Sequence, residues 1–197
     1  MKVFGDAVIL CGGSSTRMGF DKSLLKINDK YAIQMLFEEL SNIFENVRLC
    51  ANTDVQKFSV FNIEVIKDIH THKIGPAAAI HAALSRATSY YVFAVACDMP
   101  LVNVNHIKHM KNVIKNIQCD ALVPLYNGYK QATYAFYSIN CTSTFEKCIN
   151  ERTYKMQNIL NNVKTFYLQE SESKMFDKNL NMFTNLNYKK DLEKFYG

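Results

Sequence analysis

No apolar run in these 197 residues approaches a membrane span. The longest, Tyr90 to Cys97, falls far short of the roughly 20 residues a spanning helix needs. Gly5-Asp6 interrupts the N-terminal segment where a signal peptide would need its apolar core, so a cytoplasmic location is expected. There is no CxxC pair among the six cysteines (Cys11, Cys50, Cys97, Cys119, Cys141, Cys148), and three of them lie in or beside apparent buried strands. They read as free thiols acting as small hydrophobes, not as disulfides or zinc ligands. Lys and Arg are scattered, without a basic run interleaved with aromatics, so the net charge of +5 argues for a small polyanionic ligand over nucleic acid. Neither a linker nor an internal repeat divides the chain, and its length suits one domain spanning residues 1–197.

What is present alternates. Asp6 to Leu10 is a short apolar run ending in Cys11-Gly12-Gly13-Ser14-Ser15, the pattern of a buried strand entering a glycine-rich turn. Ile33, Leu36, Phe37, Leu40, Ile43 and Phe44 share one face of a 3.6-residue period, predicting a helix over Tyr31 to Phe44. Asn46 to Ala51, Asn62 to Lys67 and Tyr90 to Cys97 read as further strands. Pro76 suits the first turn of a helix through the alanine-rich stretch to Ala87, and Ile107, Met110, Ile114 and Ile117 mark another. Asp120 to Tyr126 and Ala132 to Tyr137 flank Asn127-Gly128, a strong turn signal, and predict an antiparallel excursion from a mostly parallel sheet. Helices near Cys141 to Asn150 and Tyr154 to Asn162, a strand near Lys164 to Leu168 and a last helix from Tyr188 complete an α/β reading. The basic cluster Lys189, Lys190 and Lys194 fits the solvated face of that last helix.

The segment Leu10 to Lys22 sets three glycines, three hydroxyls, Arg17 and Lys22 directly after a buried strand. Glycines let backbone N–H groups approach an anion, Arg17 can grip phosphate oxygens at two points, and Lys22 supplies a mobile point charge. That chemistry suits a nucleoside triphosphate. The segment is neither a Walker A loop nor Gly-x-Gly-x-x-Gly. Asp98 follows an apolar run, so it would sit at the carboxyl end of its strand, where ligands of open α/β sheets bind. A carboxylate there suits Mg²⁺, which takes one or two carboxylates together with phosphates and water. Asn185 and Asn187 are two apart, so an extended segment would turn both amides to one ligand, while Asn187 would equally suit a helix N-cap. His106 and His109, three apart on a helix, have the spacing of a shared metal but no third ligand in view. His70-Thr71-His72 lies in a loop where it could touch substrate, and His81 reads as an ordinary helix residue.

The run Leu10-Cys11-Gly12-Gly13-Ser14-Ser15-Thr16-Arg17-Met18-Gly19-Phe20-Asp21-Lys22 resembles the MobA-type nucleotidyltransferases, whose signature Leu-x-Gly-Gly-x-Ser-x-Arg-Met-Gly-x-Asp-Lys it matches at every specified position. The resemblance continues through Asn52, Val65-Ile66-Lys67-Asp68, Gly75-Pro76, Cys97-Asp98-Met99-Pro100 and Asn185-Leu186-Asn187. It implies a Rossmann-like three-layer α/β/α nucleotidyltransferase fold. It also implies GTP bound by Leu10, Cys11, Gly12, Gly13, Lys22, Asn52, Asp68, Gly75, Pro76 and Asp98, with Asn185 and Asn187 on the molybdopterin side. The implied reaction transfers GMP to Mo-molybdopterin with release of pyrophosphate, served by Arg17, Lys22 and Mg²⁺ on Asp98. Molybdenum-insertion and acceptor molybdoenzyme proteins are the implied partners.

Alternatives are a cytidylyltransferase of the same superfamily and a catalytically silent binding homologue; the pair Gly12-Gly13 leans towards the guanylyl type. The chain departs from the family pattern at Ala77-Ala78-Ala79, where Leu-Ala-Gly is usual, and at Tyr188-Lys189, where Thr-Pro is usual.

Overall fold

The computed structural model describes residues 1–12, 24–27, 29–51, 55–67 and 74–186. Its main sheet is built from β1 (Lys2–Cys11), β4 (Asn46–Ala51), β5 (Val65–Lys67), β6 (Ser89–Ala96), β7 (Ala121–Tyr126), β9 (Tyr134–Ser138) and β10 (Thr165–Leu168), in the order β10-β7-β9-β6-β1-β4-β5. Every neighbouring pair is parallel except those of β9, which runs antiparallel to both β6 and β7. A short β8 (Tyr129–Lys130) hairpins onto β7, and β2 (Lys26–Ile27) pairs with β3 (Lys30–Tyr31) in a separate ribbon.

Two cores flank the sheet. On one face Ala7, Ile9 and Cys11 of β1 and Phe93 and Val95 of β6 meet α1 (Ala32–Ser41) and α3 (Val104–Asn116) through Ile33, Leu36, Leu40, Ile107 and Met110. On the other, Val8, Leu10, Val92 and Ala94 meet α2 (Pro76–Leu84), α4 (Thr142–Asn150) and α5 (Met156–Asn161). Central strands covered on both sides bury both sets of side chains, which is why β1 from Ala7 and β6 from Tyr91 read as continuous apolar runs and not as alternation. The result is the expected three-layer α/β/α arrangement with a mostly parallel sheet. No helix among the described residues is long and apolar enough to cross a membrane.

Several boundaries differ from the sequence reading for identifiable reasons. β1 starts at Lys2, before Asp6, because Lys2 and Phe4 pair with Ser89 and Tyr91 ahead of a register shift between Phe4 and Asp6. α1 ends at Ser41, yet Phe44 stays in the core, its N–H donating to the Leu40 carbonyl at 2.9 Å. The segment expected as a strand from Asn62 contains only β5, because a 3-10 turn over Val55–Phe61 ends at Asn62 with φ of 52°. Asn127 and Gly128 do form a tight turn, with φ of 48° and 75°, the positive pair that two-residue hairpins favour. It closes β7 onto β8, not onto β9: Tyr126 faces Tyr129, while β9 inserts between β7 and β6. A short helix, α6 (Glu170–Ser173), follows β10 without having been anticipated. The helix expected from Tyr188 lies outside the described residues.

Candidate active site at the carboxyl edge

The parallel strands end together, and the candidate site is built on those ends. β1 delivers Leu10, Cys11 and the exposed Gly12. On the neighbouring strand β6 the pairing continues one step past the last strand residue, the Cys97 N–H donating to the Leu10 carbonyl at 3.2 Å, and Asp98 comes next. The Met99 N–H turns back to the Ala96 carbonyl at 3.0 Å, and the buried Met99 side chain anchors that turn. Asp98 is therefore held, half-buried, at the end of the strand adjoining Gly12. From the far end of the chain, the Leu186 N–H donates to the Asp98 carbonyl at 2.8 Å, which brings the exposed Asn185 to the same strand ends.

Gly75 and Pro76 open α2 after β5, so the helix runs back against the strands and lifts its first-turn N–H groups to this edge. Gly75 has φ of 83°, a conformation L side chains avoid, and Pro76 occupies the first helical position, where a missing N–H costs nothing. From Ala77 to Leu84 every residue of α2 is buried, and the Ala79 methyl packs into the second core. The departure from the family pattern at Ala79 is thus absorbed by packing.

Cys11 and Cys97 lie side by side beneath the edge, both in the first core and in hydrogen-bonding contact. That contact, reinforced by burial, pushes the Cys11 thiol well above its usual range. All six cysteines are buried and free, as the sequence suggested. A protonated thiol is a poor metal ligand, and among the described residues no three His, Cys, Asp or Glu side chains cluster to hold an ion. Among the described residues, the oxygen-bearing side chains at the edge are those of Asp98 and Asn185, and a carboxylate there fits a hard cation shared with phosphate oxygens.

The structure thus brings Leu10, Cys11, Gly12, Asp98 and Asn185 to adjoining strand ends, with Gly75 and Pro76 at the start of α2. Gly13, Arg17, Lys22, Asn52, Asp68 and Asn187, together with His70 and His72, lie outside the described residues. His106 and His109 do not converge on a metal: Nε2 of His106 lies 3.0 Å from Ser173 Oγ, and Nε2 of His109 lies 3.4 Å from Glu172 Oε2. Sequence reasoning missed Thr133, whose carbonyl accepts from the Ala96 N–H at 2.9 Å and whose hydroxyl reaches Met99 Sδ at 3.8 Å. It also missed Asn103, whose side chain accepts from the His106 N–H; an Asn directly before Val104, the first residue of α3, was a legible N-cap signal.

A family model described as the MobA-like NTP transferase domain matches residues 7–166. The chain is 34% identical to a probable molybdenum cofactor guanylyltransferase of Peptoclostridium acidaminophilum, over 98% of this chain and 89% of that protein. It is 32% identical to the molybdenum cofactor guanylyltransferase of Syntrophotalea carbinolica, over 98% and 90%. A crystal structure of molybdopterin-guanine dinucleotide biosynthesis protein A from Archaeoglobus fulgidus superposes with a TM-score of 0.84 at 27% identity, covering 96% of this chain and 95% of that one.

Proposed function

Because the chain belongs to the MobA-like NTP transferase family, we propose that it transfers GMP from GTP to Mo-molybdopterin, forming the guanine dinucleotide cofactor. The observation that carries this reading is the meeting of Gly12, Asp98 and Asn185 at one edge, where a phosphate-binding loop, a metal-binding carboxylate and an acceptor-side amide are needed together. The relatives named as guanylyltransferases, aligned over nearly the whole chain, support the choice of nucleotide. We take residues 1–197 as a single catalytic domain working in the cytoplasm, with molybdenum-insertion and acceptor proteins as its partners.

The terminal phosphate of the pterin forms a bond to the α-phosphorus of GTP while the bond from that phosphorus to the bridging oxygen breaks. The bridging oxygen departs with the electron pair as pyrophosphate. The nucleophile arrives ionised, so no general base is assigned, and catalysis consists of alignment and charge neutralisation. Leu10 to Gly13 and the first turn of α2 hold the nucleotide, Asn52 and Asp68 contact its base or ribose, and Arg17 and Lys22 balance charge developing on the phosphates. Asp98 would hold Mg²⁺, which supplies further positive charge to the phosphate oxygens when bound. Asn185 and Asn187 receive the pterin.

Pyrophosphate release by the purified protein in Mg²⁺, with GTP, CTP or ATP and with or without Mo-molybdopterin, tests this. Release is expected only with GTP and the pterin together. A preference for CTP would replace the nucleotide and leave the fold and phosphate site standing, whereas no release from folded protein would remove the transferase reading.

A further inference from the structure

The segment after β10 returns across the face of α3 and is tied to it rung by rung. Glu172 meets His109, Ser173 meets His106, and the Phe176 carbonyl accepts from Asn103 Nδ2 at 3.1 Å. The next rung is the Leu186 N–H on the Asp98 carbonyl. As the segment advances from 172 to 186, its partners step back from 109 to 98, so the series ends on the aspartate assigned to the metal. Between Phe176 and Leu186 the backbone is set by Asp177, whose carboxylate accepts from the N–H groups of Asn179 and Asn181 at 3.0 and 2.7 Å.

His106 is the buried centre of this arrangement. Its ring is fully enclosed, packed by Tyr134, Phe176 and Phe183 at centroid distances of 5.7, 5.7 and 5.8 Å. Phe183 in turn meets Tyr134 at 5.3 Å, and Asn185 lies two residues further on. Burial, with a contribution from His109, lowers the His106 pKa to about 4, so the ring is neutral at physiological pH. Nδ1 has no hydrogen-bond partner among the described residues. A bare lone pair is cheaper to bury than a bare N–H, which places the proton on Nε2, donating to Ser173 Oγ. If packing alone mattered here, a phenyl ring would fill the space without burying an unpaired nitrogen. What the imidazole adds is the directed bond to Ser173.

We infer that His106 is a positioning residue for the acceptor side of the site: through Ser173, Phe176 and Phe183 it fixes the segment that carries Asn185 against Asp98. It governs capture of the phosphorylated acceptor without touching it. This rests on the reading that Asn185 faces the acceptor, and the two fail separately.

The test uses the full chain with His106→Phe, His106→Gln, Ser173→Ala and Asn185→Ala, reading KM for each substrate and amide hydrogen exchange over residues 183–186. His106→Phe and Ser173→Ala are each expected to raise KM for Mo-molybdopterin about fivefold or more, with KM for GTP within about twofold, and to speed exchange at Leu186. The double variant should be little worse than the stronger single one, and His106→Gln, which keeps an N–H donor, should recover much of the loss. Equal rises in both KM values, or unchanged exchange at Leu186, would overturn the positioning role. If His106→Phe does not fold, Ser173→Ala decides alone, since it deletes one oxygen. Should Asn185→Ala leave the acceptor KM unchanged, the acceptor-side assignment fails even where the exchange result stands.

Discussion

Two aspartates stand at opposite ends of the paired central strands, and their surroundings could hardly differ more. Asp6, near the start of β1, is 2% exposed. Its carboxylate accepts from Asn46 Nδ2 at 2.9 Å, from the backbone N–H groups of Thr88 and Ser89 at 2.6 and 2.7 Å, and from both their hydroxyls, with Arg48 at 3.6 Å. Burial pushes its pKa up, but the bonds from Asn46, Thr88 and Ser89 outweigh that and hold it below the ordinary value. Asp98, past the end of β6, stays half-buried at the edge where Gly12 and Asn185 meet. The contrast teaches that position along the paired strands, and not residue type alone, decides how far a carboxylate is buried. Asp6 fastens β1 to the turn before β6, whereas Asp98 reaches the carboxyl edge, the position the proposed metal role requires.

Removing each carboxylate in turn separates the two roles. Asp98→Ala, like Lys22→Ala, is expected to lower turnover by about two orders of magnitude or more, with a melting temperature within a few degrees of the parent. Near-normal turnover in either would sink the site assignment. Asp6→Ala should do the reverse, costing on the order of 3 kcal/mol in denaturant unfolding because it strands buried donors, while activity per folded molecule stays within about twofold. A large kinetic defect there would show that the two ends of the sheet are coupled.

Acid separates the anchors further. His106 has a folded pKa of about 4 against an ordinary 6.5, so the unfolded chain binds more protons between those values. Its contribution is present above pH 6.5 and is lost as pH falls towards about 4, on the order of 3 kcal/mol across the window. Asp6, with a lowered pKa, contributes in the opposite charge state, and its share is lost only as pH drops below 3.8. Stability measured from pH 7 to 4 should therefore fall, and His106→Phe should flatten the slope by about one proton.

Much of the frame was legible in the residues. β4 begins at Asn46 and ends at Ala51 as its apolar pattern indicated, and Pro76 opens α2 because proline fits only the first turn. The antiparallel excursion was legible too, since β9 runs antiparallel to β7, but the two-residue β8 between them was not: Asn127-Gly128 specifies a tight turn and not how long a strand follows it. His106 and His109 have the spacing of a metal pair but no third ligand in the sequence, and what they bond instead, Ser173 and Glu172 of α6, could not be read from α3 alone. The segment from 174 to 186 contains only one 3-10 turn, so no periodicity announced that it would carry Asn185 back to the edge.

The alternation of strands and helices, the two-sided burial of β1 and β6, and the family signature from Leu10 to Lys22 are written in the chain, because each depends on residues close together in it. That β9 lies between β6 and β7, that Leu186 meets Asp98, and that His106 meets Ser173 from 67 residues away emerges from the folded molecule. Contacts of that separation are chosen by the packing of whole elements, and packing leaves no local pattern for a reader of the chain to find.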